Sequence, residues 1–221
     1  METLNQLKDY QFRVYPNEQS PKLFKHPLLE LLTKTRLWVI WIVYAFVTVV
    51  LIGVFINYFK GSLTASIGFF FAGFFTWTLA EYVLHRFIYH KIKDASYDEG
   101  LQYVFHGIHH QYPSDDDRII LPPVPGLLIA AGFLGLYYLI MGKVAFPFSA
   151  GFLMGYLTYI SIHWMVHSKP ISKRVPFWWN HHNIHHYQQH DKAFGVTTPI
   201  WDIVFGTMPI KGRRTITILN K

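Results

Sequence analysis

Residues 37–59 read LWVIWIVYAFVTVVLIGVFINYF, a run of 23 residues without a charged side chain. At about 1.5 Å per residue, a helix of this length crosses a hydrocarbon core of about 30 Å. A second apolar run, 62–84, follows after only Lys60 and Gly61, and Glu81 near its end is its single charge. Two helices joined by so short a turn must be antiparallel, so the sequence predicts a transmembrane hairpin.

A second pair of apolar runs repeats this pattern. The runs cover 124–141 and 144–166, with Gly142 and Lys143 between them. The alternative, a buried helix pair in a soluble core, fits poorly because 51% of the residues are hydrophobic and only 15% are charged. We therefore predict an all-α integral membrane protein with four transmembrane helices in a single domain, 1–221. Three glycines in the third run suit close helix packing: Gly126, Gly132 and Gly135.

The positive charges predict the orientation of the four helices. Six Lys or Arg residues precede the first run, four lie between the second and third, and eight follow the fourth, whereas each tight turn has one Lys. By the positive-inside rule, the three richer segments and both termini lie in the cytoplasm. We expect shorter helices over 97–112 and 176–187 to form a cytoplasmic cap. Membrane topology accounts for the net charge of +7 without nucleic acid as a partner.

Ten of the 13 histidines fall into four spaced clusters. Helix positions i, i+3 and i+4 share one face, so an HxxHH segment can direct three imidazoles to one point. The five-residue spacing of HRFIYH fits a helix face less well, so the second span should end or bend within it. The clusters are His85 and His90 in HRFIYH, His106, His109 and His110 in HGIHH, His163 and His167 in HWMVH, and His182, His185 and His186 in HNIHH.

These clusters predict a metal centre. Imidazole binds zinc, iron, copper and nickel, and the absence of cysteine excludes thiolate ligands. Ten ligands exceed the capacity of one ion, so we expect two metal ions. A histidine pH sensor or a metal transporter is the alternative. A transporter should place polar ligands near the bilayer midplane, whereas these histidines lie at one end of the spans.

The remaining histidines and the nearby acids are weaker candidates. His26 is expected at the surface, His190 in solvent or outside the ligand shell, and His181 breaks the spacing of the last cluster. Glu81, one turn before His85, could accept an N–H from a ligand, or it could be a solvated acid at a helix end. Two later acids are weaker candidates for the same supporting role: Asp191 and Asp202.

The ordered pattern HxxxxH, HxxHH, HxxxH, HxxHH resembles the fatty acid hydroxylase superfamily of membrane enzymes. That superfamily includes sterol desaturases, carotene hydroxylases and fatty acid 2-hydroxylases. The resemblance covers 22–208 and is strongest to the fatty acid 2-hydroxylase branch, which acts on the acyl chain of sphingolipids. Four further stretches carry it: LFKHPLLELLTKT (23–35), EYVLHRFIYH (81–90), DRIILPPVPG (117–126) and FGVTTPIWDIVFGT (194–207).

The resemblance implies an O2-dependent monooxygenase that uses two metal ions. Iron is expected for activity, and zinc can occupy the same ligands in a purified sample. The implied substrate is a fatty acyl group, free, CoA-linked or in a ceramide, hydroxylated at C2; hydroxylation or desaturation of a sterol or carotenoid is the alternative. Eukaryotic members often carry a cytochrome b5 domain that this sequence lacks. We therefore expect an external donor (cytochrome b5-like, ferredoxin or reductase) and favour a bacterial inner membrane over the endoplasmic reticulum.

Overall fold

The computed structural model describes residues 10–90 and 102–219. The described chain divides into two compact units. The membrane unit consists of 22–81 and 120–164. The histidine unit consists of the described parts of 1–21, 82–119 and 165–221. The single domain over 1–221 stays a prediction.

The apolar runs form long helices, as predicted. Helix α1 is Pro27–Leu31, and α2 is Leu37–Gly53 with a π-helical extension, Val54–Tyr58. Helix α3 is Leu63–Val83, and it too continues in π-helical form, over Leu84–Tyr89. The observed ends lie within a few residues of the predicted ones because the uncharged runs themselves set the helix lengths.

The third and fourth runs form a helix pair with a short break. Helix α4 is the short helix Ile108–Gln111 of the histidine unit. Helix α5 is Pro123–Met141, a 3₁₀ turn covers Gly142–Val144, and α6 is Ala145–Ser168. Gly142 has φ 60, a left-handed conformation that interrupts a helix at low cost in glycine. Within the described residues, three stretches are long and apolar enough to cross a membrane: Leu37–Tyr58, Leu63–Tyr89 and the 46-residue Pro123–Ser168.

Helices α3 and α6 approach each other closely at two glycines in the membrane unit. A Cβ on Gly73 would overlap the backbone of Phe148, and a Cβ on Gly151 would overlap the backbone of Phe70. Small residues allow such contact between membrane helices. The expected role of the α5 glycines was wrong for two of them, because within the described residues nothing beyond the adjoining helix backbone lies within 4 Å of a Cβ placed on Gly132 or Gly135. The third α5 glycine, Gly126, does face a neighbour, the Tyr44 hydroxyl.

The histidine unit has shorter elements. A π-helical turn, Tyr103–Gly107, leads into α4, Ile108–Gln111, while α7 is Phe177–Tyr187 and α8 is Ile200–Val204. Both predicted short helices are therefore present, although the start of the first lies outside the described residues; that they form a cytoplasmic cap stays a prediction. Strands β1 (Tyr10–Arg13) and β2 (Ile216–Leu219) pair in parallel. The all-α prediction missed this pair because four-residue strands give too short a periodic pattern.

Candidate metal centre

Five histidines of the histidine unit converge on one point. One ring nitrogen from each lies within 4.8 Å of the others. Their exposed fractions run from 0% to 3%, so these polar rings are almost completely removed from water. We call them the first group: His85, His90, His106, His110 and His185.

The π-helical end of α3 brings the first two members together. Its hydrogen bonds run from residue i to i+5, and the His90 amide donates to the His85 carbonyl at 3.0 Å. The two rings are therefore one π-turn apart, with centroids 4.9 Å apart. The helix ends at Tyr89, and the backbone of the next residue, His90, is extended (φ −110, ψ 100), so the span ends as expected within HRFIYH.

The nitrogen positions in the first group fit a shared cation better than a hydrogen-bond network. His106 Nε2 lies 3.0 Å from His85 Nε2 and 2.9 Å from both His90 Nε2 and His110 Nε2. One ring nitrogen carries either a hydrogen or a lone pair, so it cannot bond all three neighbours at once. Two nitrogens bound at right angles to an ion, each at about 2.1 Å, would be about 3.0 Å apart.

A second group lies beside the first in the histidine unit. Ring nitrogens of His109, His167, His182 and His186 lie within 4.8 Å of one another. His167 Nε2 is 3.1 Å from His109 Nε2 and 2.9 Å from His182 Nε2. Both ring nitrogens of His186 are buried with no hydrogen-bond partner in the described part of the chain. A buried imidazole left this way is costly unless a cation binds it.

The two HxxHH segments divide their histidines between the groups. His106 and His110 belong to the first group, whereas His109 belongs to the second; His182 and His186 belong to the second, whereas His185 belongs to the first. The expectation that each segment directs three rings to one point was therefore wrong. Residues i and i+4 are about 40° apart around a helix, while i+3 is about 60° away on the other side. The stacked rings of His110 and His186, 4.0 Å apart, join the two groups.

His163 is the remaining histidine of the ten. It is buried and lies in the membrane unit, four residues before His167 in the continuous helix α6. Helix geometry therefore places the two rings on the same face.

Burial keeps these rings neutral, which is the form that binds metal. Loss of water lowers the pKa of each ring far below its ordinary value, and the neighbouring imidazoles lower it further because two adjacent imidazolium ions would repel. This holds for six of them outside the spans: His90, His106, His109, His110, His185 and His186.

Two backbone carbonyls orient rings of the first group. His85 Nδ1 donates to the Phe194 carbonyl at 2.6 Å, and His185 Nδ1 donates to the Lys192 carbonyl at 2.7 Å. A carbonyl only accepts, so in both rings Nδ1 carries the hydrogen and Nε2 keeps its lone pair for a metal. The sequence offered no sign of these carbonyls, since any residue type can supply one.

Comparison with known proteins decides the family. The family model for "Fatty acid hydroxylase" matches residues 70–207, which contain all ten clustered histidines. The chain belongs to the fatty acid hydroxylase family. This membership confirms the resemblance seen in the sequence and makes the chain an oxidoreductase rather than a metal transporter or sensor.

Relatives of this hydroxylase come from plants, yeasts and mammals. It is 33% identical over 198 residues to dihydroceramide fatty acyl 2-hydroxylase FAH1 of Arabidopsis thaliana, covering 87% of this chain and 81% of that one. It is 35% identical over 150 residues to human fatty acid 2-hydroxylase, covering 64% and 39%. These eukaryotic relatives do not support the expected bacterial inner membrane.

A solved structure shows the same fold. The structure of full-length scs7p, in which only the hydroxylase domain is visible, matches with a TM-score of 0.76 and 31% identity. The match covers 92% of this hydroxylase and 76% of that chain. Ceramide very long chain fatty acid hydroxylase SCS7 of Saccharomyces cerevisiae is also 33% identical over 183 residues, 81% of this chain and 47% of the relative.

The other three histidines of the hydroxylase are not among those whose ring nitrogens converge in either group. His26 is exposed, as expected. His190 is half-buried, and its Nε2 donates to the His186 carbonyl at 3.1 Å, which agrees with a place outside the ligand shell. His181 is buried, with Nε2 3.2 Å from Asp202 Oδ2. It therefore points to a carboxylate and not to either group.

The three acids named from the sequence have different surroundings. Glu81 is only 4% exposed, which excludes a solvated acid at a helix end; its bond to a ligand stays a prediction. Asp191 is exposed and pairs with Arg213 at 2.8 Å, so it does not support either group of histidines.

Asp202 is fully buried. Burial raises the pKa of its carboxyl, but hydrogen bonds from His181, Thr207, Gly195 and Phe194 outweigh this, and the pKa lies below its ordinary value.

Proposed function

We propose that the chain is a membrane-bound, two-metal, O2-dependent hydroxylase that places a hydroxyl group at C2 of a lipid acyl chain. One observation carries the proposal: two groups of buried, converging imidazoles in a chain whose relatives are named dihydroceramide fatty acyl 2-hydroxylase and ceramide very long chain fatty acid hydroxylase. The acyl group is free, CoA-linked or part of a ceramide. An unactivated C–H bond needs an oxidant stronger than any acid or base side chain.

We assign the ten histidines to two ions. The first group would hold one ion, and His109, His163, His167, His182 and His186 would hold the other. The all-imidazole donor set suits iron, which supplies O2 reduction and C–H oxidation when bound. Zinc also binds histidine nitrogens, but it has no redox chemistry.

The protein's own groups prepare this chemistry. Burial keeps the imidazoles neutral and excludes water from the site. The carbonyls of Phe194 and Lys192 fix two rings of the first group and leave their Nε2 lone pairs free for the ion that this group would hold. Insertion of one oxygen atom into a C–H bond, with reduction of the other to water, consumes two electrons and two protons. We propose a cytochrome b5-like protein, a ferredoxin or a reductase as their source.

We further propose four transmembrane helices, with the histidine unit and both termini on the cytoplasmic side. Support comes from the distribution of Lys and Arg and from the break at Gly142. The Pro123–Ser168 stretch has 46 residues. As one straight helix it would be about 69 Å long, more than twice the hydrocarbon thickness. The 221 residues then form one hydroxylase domain.

Product analysis tests the proposed function. The purified protein, loaded with iron and supplied with a donor, O2 and a lipid extract, should yield 2-hydroxyacyl lipids by mass spectrometry. An oxidised sterol or carotenoid without any 2-hydroxyacyl product would contradict it. Metal uptake into vesicles without O2 consumption would also contradict it.

A further inference from the structure

One short turn serves both oriented rings of the first group. Residues 192–195 lie between α7 and α8, and the carbonyls of Lys192 and Phe194 accept from His185 and His85 respectively. Ala193 between them has φ 58, a left-handed conformation that is unfavourable for alanine. Such a turn keeps its shape only when surrounding contacts hold it.

The Asp202 carboxylate supplies those contacts. Its Oδ1 accepts from the Phe194 amide at 2.9 Å and from Thr207 Oγ1 at 2.7 Å. Its Oδ2 accepts from the Gly195 amide at 2.8 Å and lies 3.2 Å from His181 Nε2. A Cβ on Gly195 would approach Oδ2 to 3.0 Å, so glycine makes room for the carboxylate. Four donors on one carboxylate use both of its oxygens fully.

The same network returns to the helix that carries His85. Thr207 Oγ1 donates to Asp202, so it accepts from the Tyr82 hydroxyl at 2.8 Å, and Arg86 donates to that hydroxyl, also at 2.8 Å. Tyr82 precedes His85 by three residues. Asp202 is thereby connected to His85 through the Phe194 carbonyl and again through the backbone of its own helix.

We propose that Asp202 is a positioning residue for the first metal ion. It fixes the 192–195 turn, whose two carbonyls orient His85 and His185, and His181 serves as a buried donor to the carboxylate instead of a ligand. The proposal rests on the proposed two-ion function. It adds that Asp202 affects the binding of the first ion and not of the second. Neither Asp202 nor His181 touches the second group in this network, so a change at Asp202 should weaken the first ion selectively.

Asp202→Asn is the direct test, made in the full chain. Asparagine has the same shape but only one oxygen acceptor, so the amides of Phe194 and Gly195 cannot both be satisfied as before. Metal content by mass spectrometry should fall from two ions toward one, with the first ion bound at least about tenfold more weakly. Titration with Co²⁺ should give the absorption spectrum of His85→Ala, which lacks a first-group ligand, and not that of His186→Ala.

Asp191→Asn is the matched control, because Asp191 is an exposed acid in the same segment whose carboxylate accepts from Arg213. It should keep two ions. If Asp202→Asn does not fold, as judged by circular dichroism, His181→Ala decides, since it removes one donor and leaves the carboxylate. Wild-type affinity for both ions in the folded variant, or equal weakening of both, would overturn the proposal. A wild-type protein that binds fewer than two ions would instead contradict the proposed function.

Discussion

The Nδ1 atom of His85 lies 2.6 Å from the carbonyl oxygen of Phe194, which is 109 residues later in the chain. A histidine at the end of an apolar helix is thus oriented by the backbone of a loop near the carboxyl terminus. Partners so far apart in the chain meet only in the tertiary fold. The two groups of histidines therefore depend on the tertiary fold, and local spacing alone does not determine them.

Replacing His106 should have the largest effect on the first group. Its Nε2 lies within 3.0 Å of three other ring nitrogens, so it occupies the centre of the group. His106→Ala should lower hydroxylation by at least about a hundredfold and remove one of two ions. Metal analysis and product formation, measured on one preparation, check this. Full activity in the variant would be incompatible with the ligand assignment.

Two neighbouring histidines in NHHNIHH should respond differently to the same substitution. His182 Nε2 lies 2.9 Å from His167 Nε2 in the second group, whereas His181 points to Asp202. His182→Ala should remove the second ion, and His181→Ala should weaken only the first. Co²⁺ titrations of the two variants distinguish these outcomes. Identical spectra would mean that the two residues do not have separate roles.

Close packing at Gly151 should matter for stability. Gly151→Ala would place a Cβ against the backbone of Phe70, which cannot move as a side chain can. We expect a loss of about 1–3 kcal/mol in the free energy of unfolding. Gly132→Ala is the control, because its added Cβ would meet nothing within 4 Å in the described part of the chain beyond its own helix backbone. It should keep or raise stability, by up to about 1 kcal/mol, as alanine favours helix. Thermal unfolding in detergent compares the two, and equal melting temperatures would contradict the packing.

Iron and zinc should both stabilise the protein, but only iron should support turnover. Zinc and iron suit the same nitrogens, but only iron has redox chemistry. Metal-free protein should melt at a lower temperature, and either metal at about 1,000 times its dissociation constant should restore about 4 kcal/mol per ion. Only the iron form should then hydroxylate lipid. Hydroxylation by a zinc-loaded, iron-free sample would contradict the assignment of iron.

Sequence reasoning succeeded where one chemical property repeated along the chain. The uncharged runs set the helices, and the spacing of ten histidines indicated the residues whose ring nitrogens converge. It failed where tertiary geometry decides. It did not predict that His109 and His110, adjacent in sequence, join different groups, nor that a π-helical turn places His85 beside His90. The role of the Phe194 carbonyl could not be predicted either, because every residue has a carbonyl and only the fold determines which one accepts from His85.

The most direct test of the central claim follows the oxygen atom. The iron-loaded protein should be supplied with an electron donor, an acyl lipid and isotopically labelled O2, and the product analysed by mass spectrometry with fragmentation. We expect one labelled oxygen at C2 of the acyl chain, and none with His106→Ala. A product labelled at another carbon, or a C2 hydroxyl whose oxygen comes from water, would contradict it.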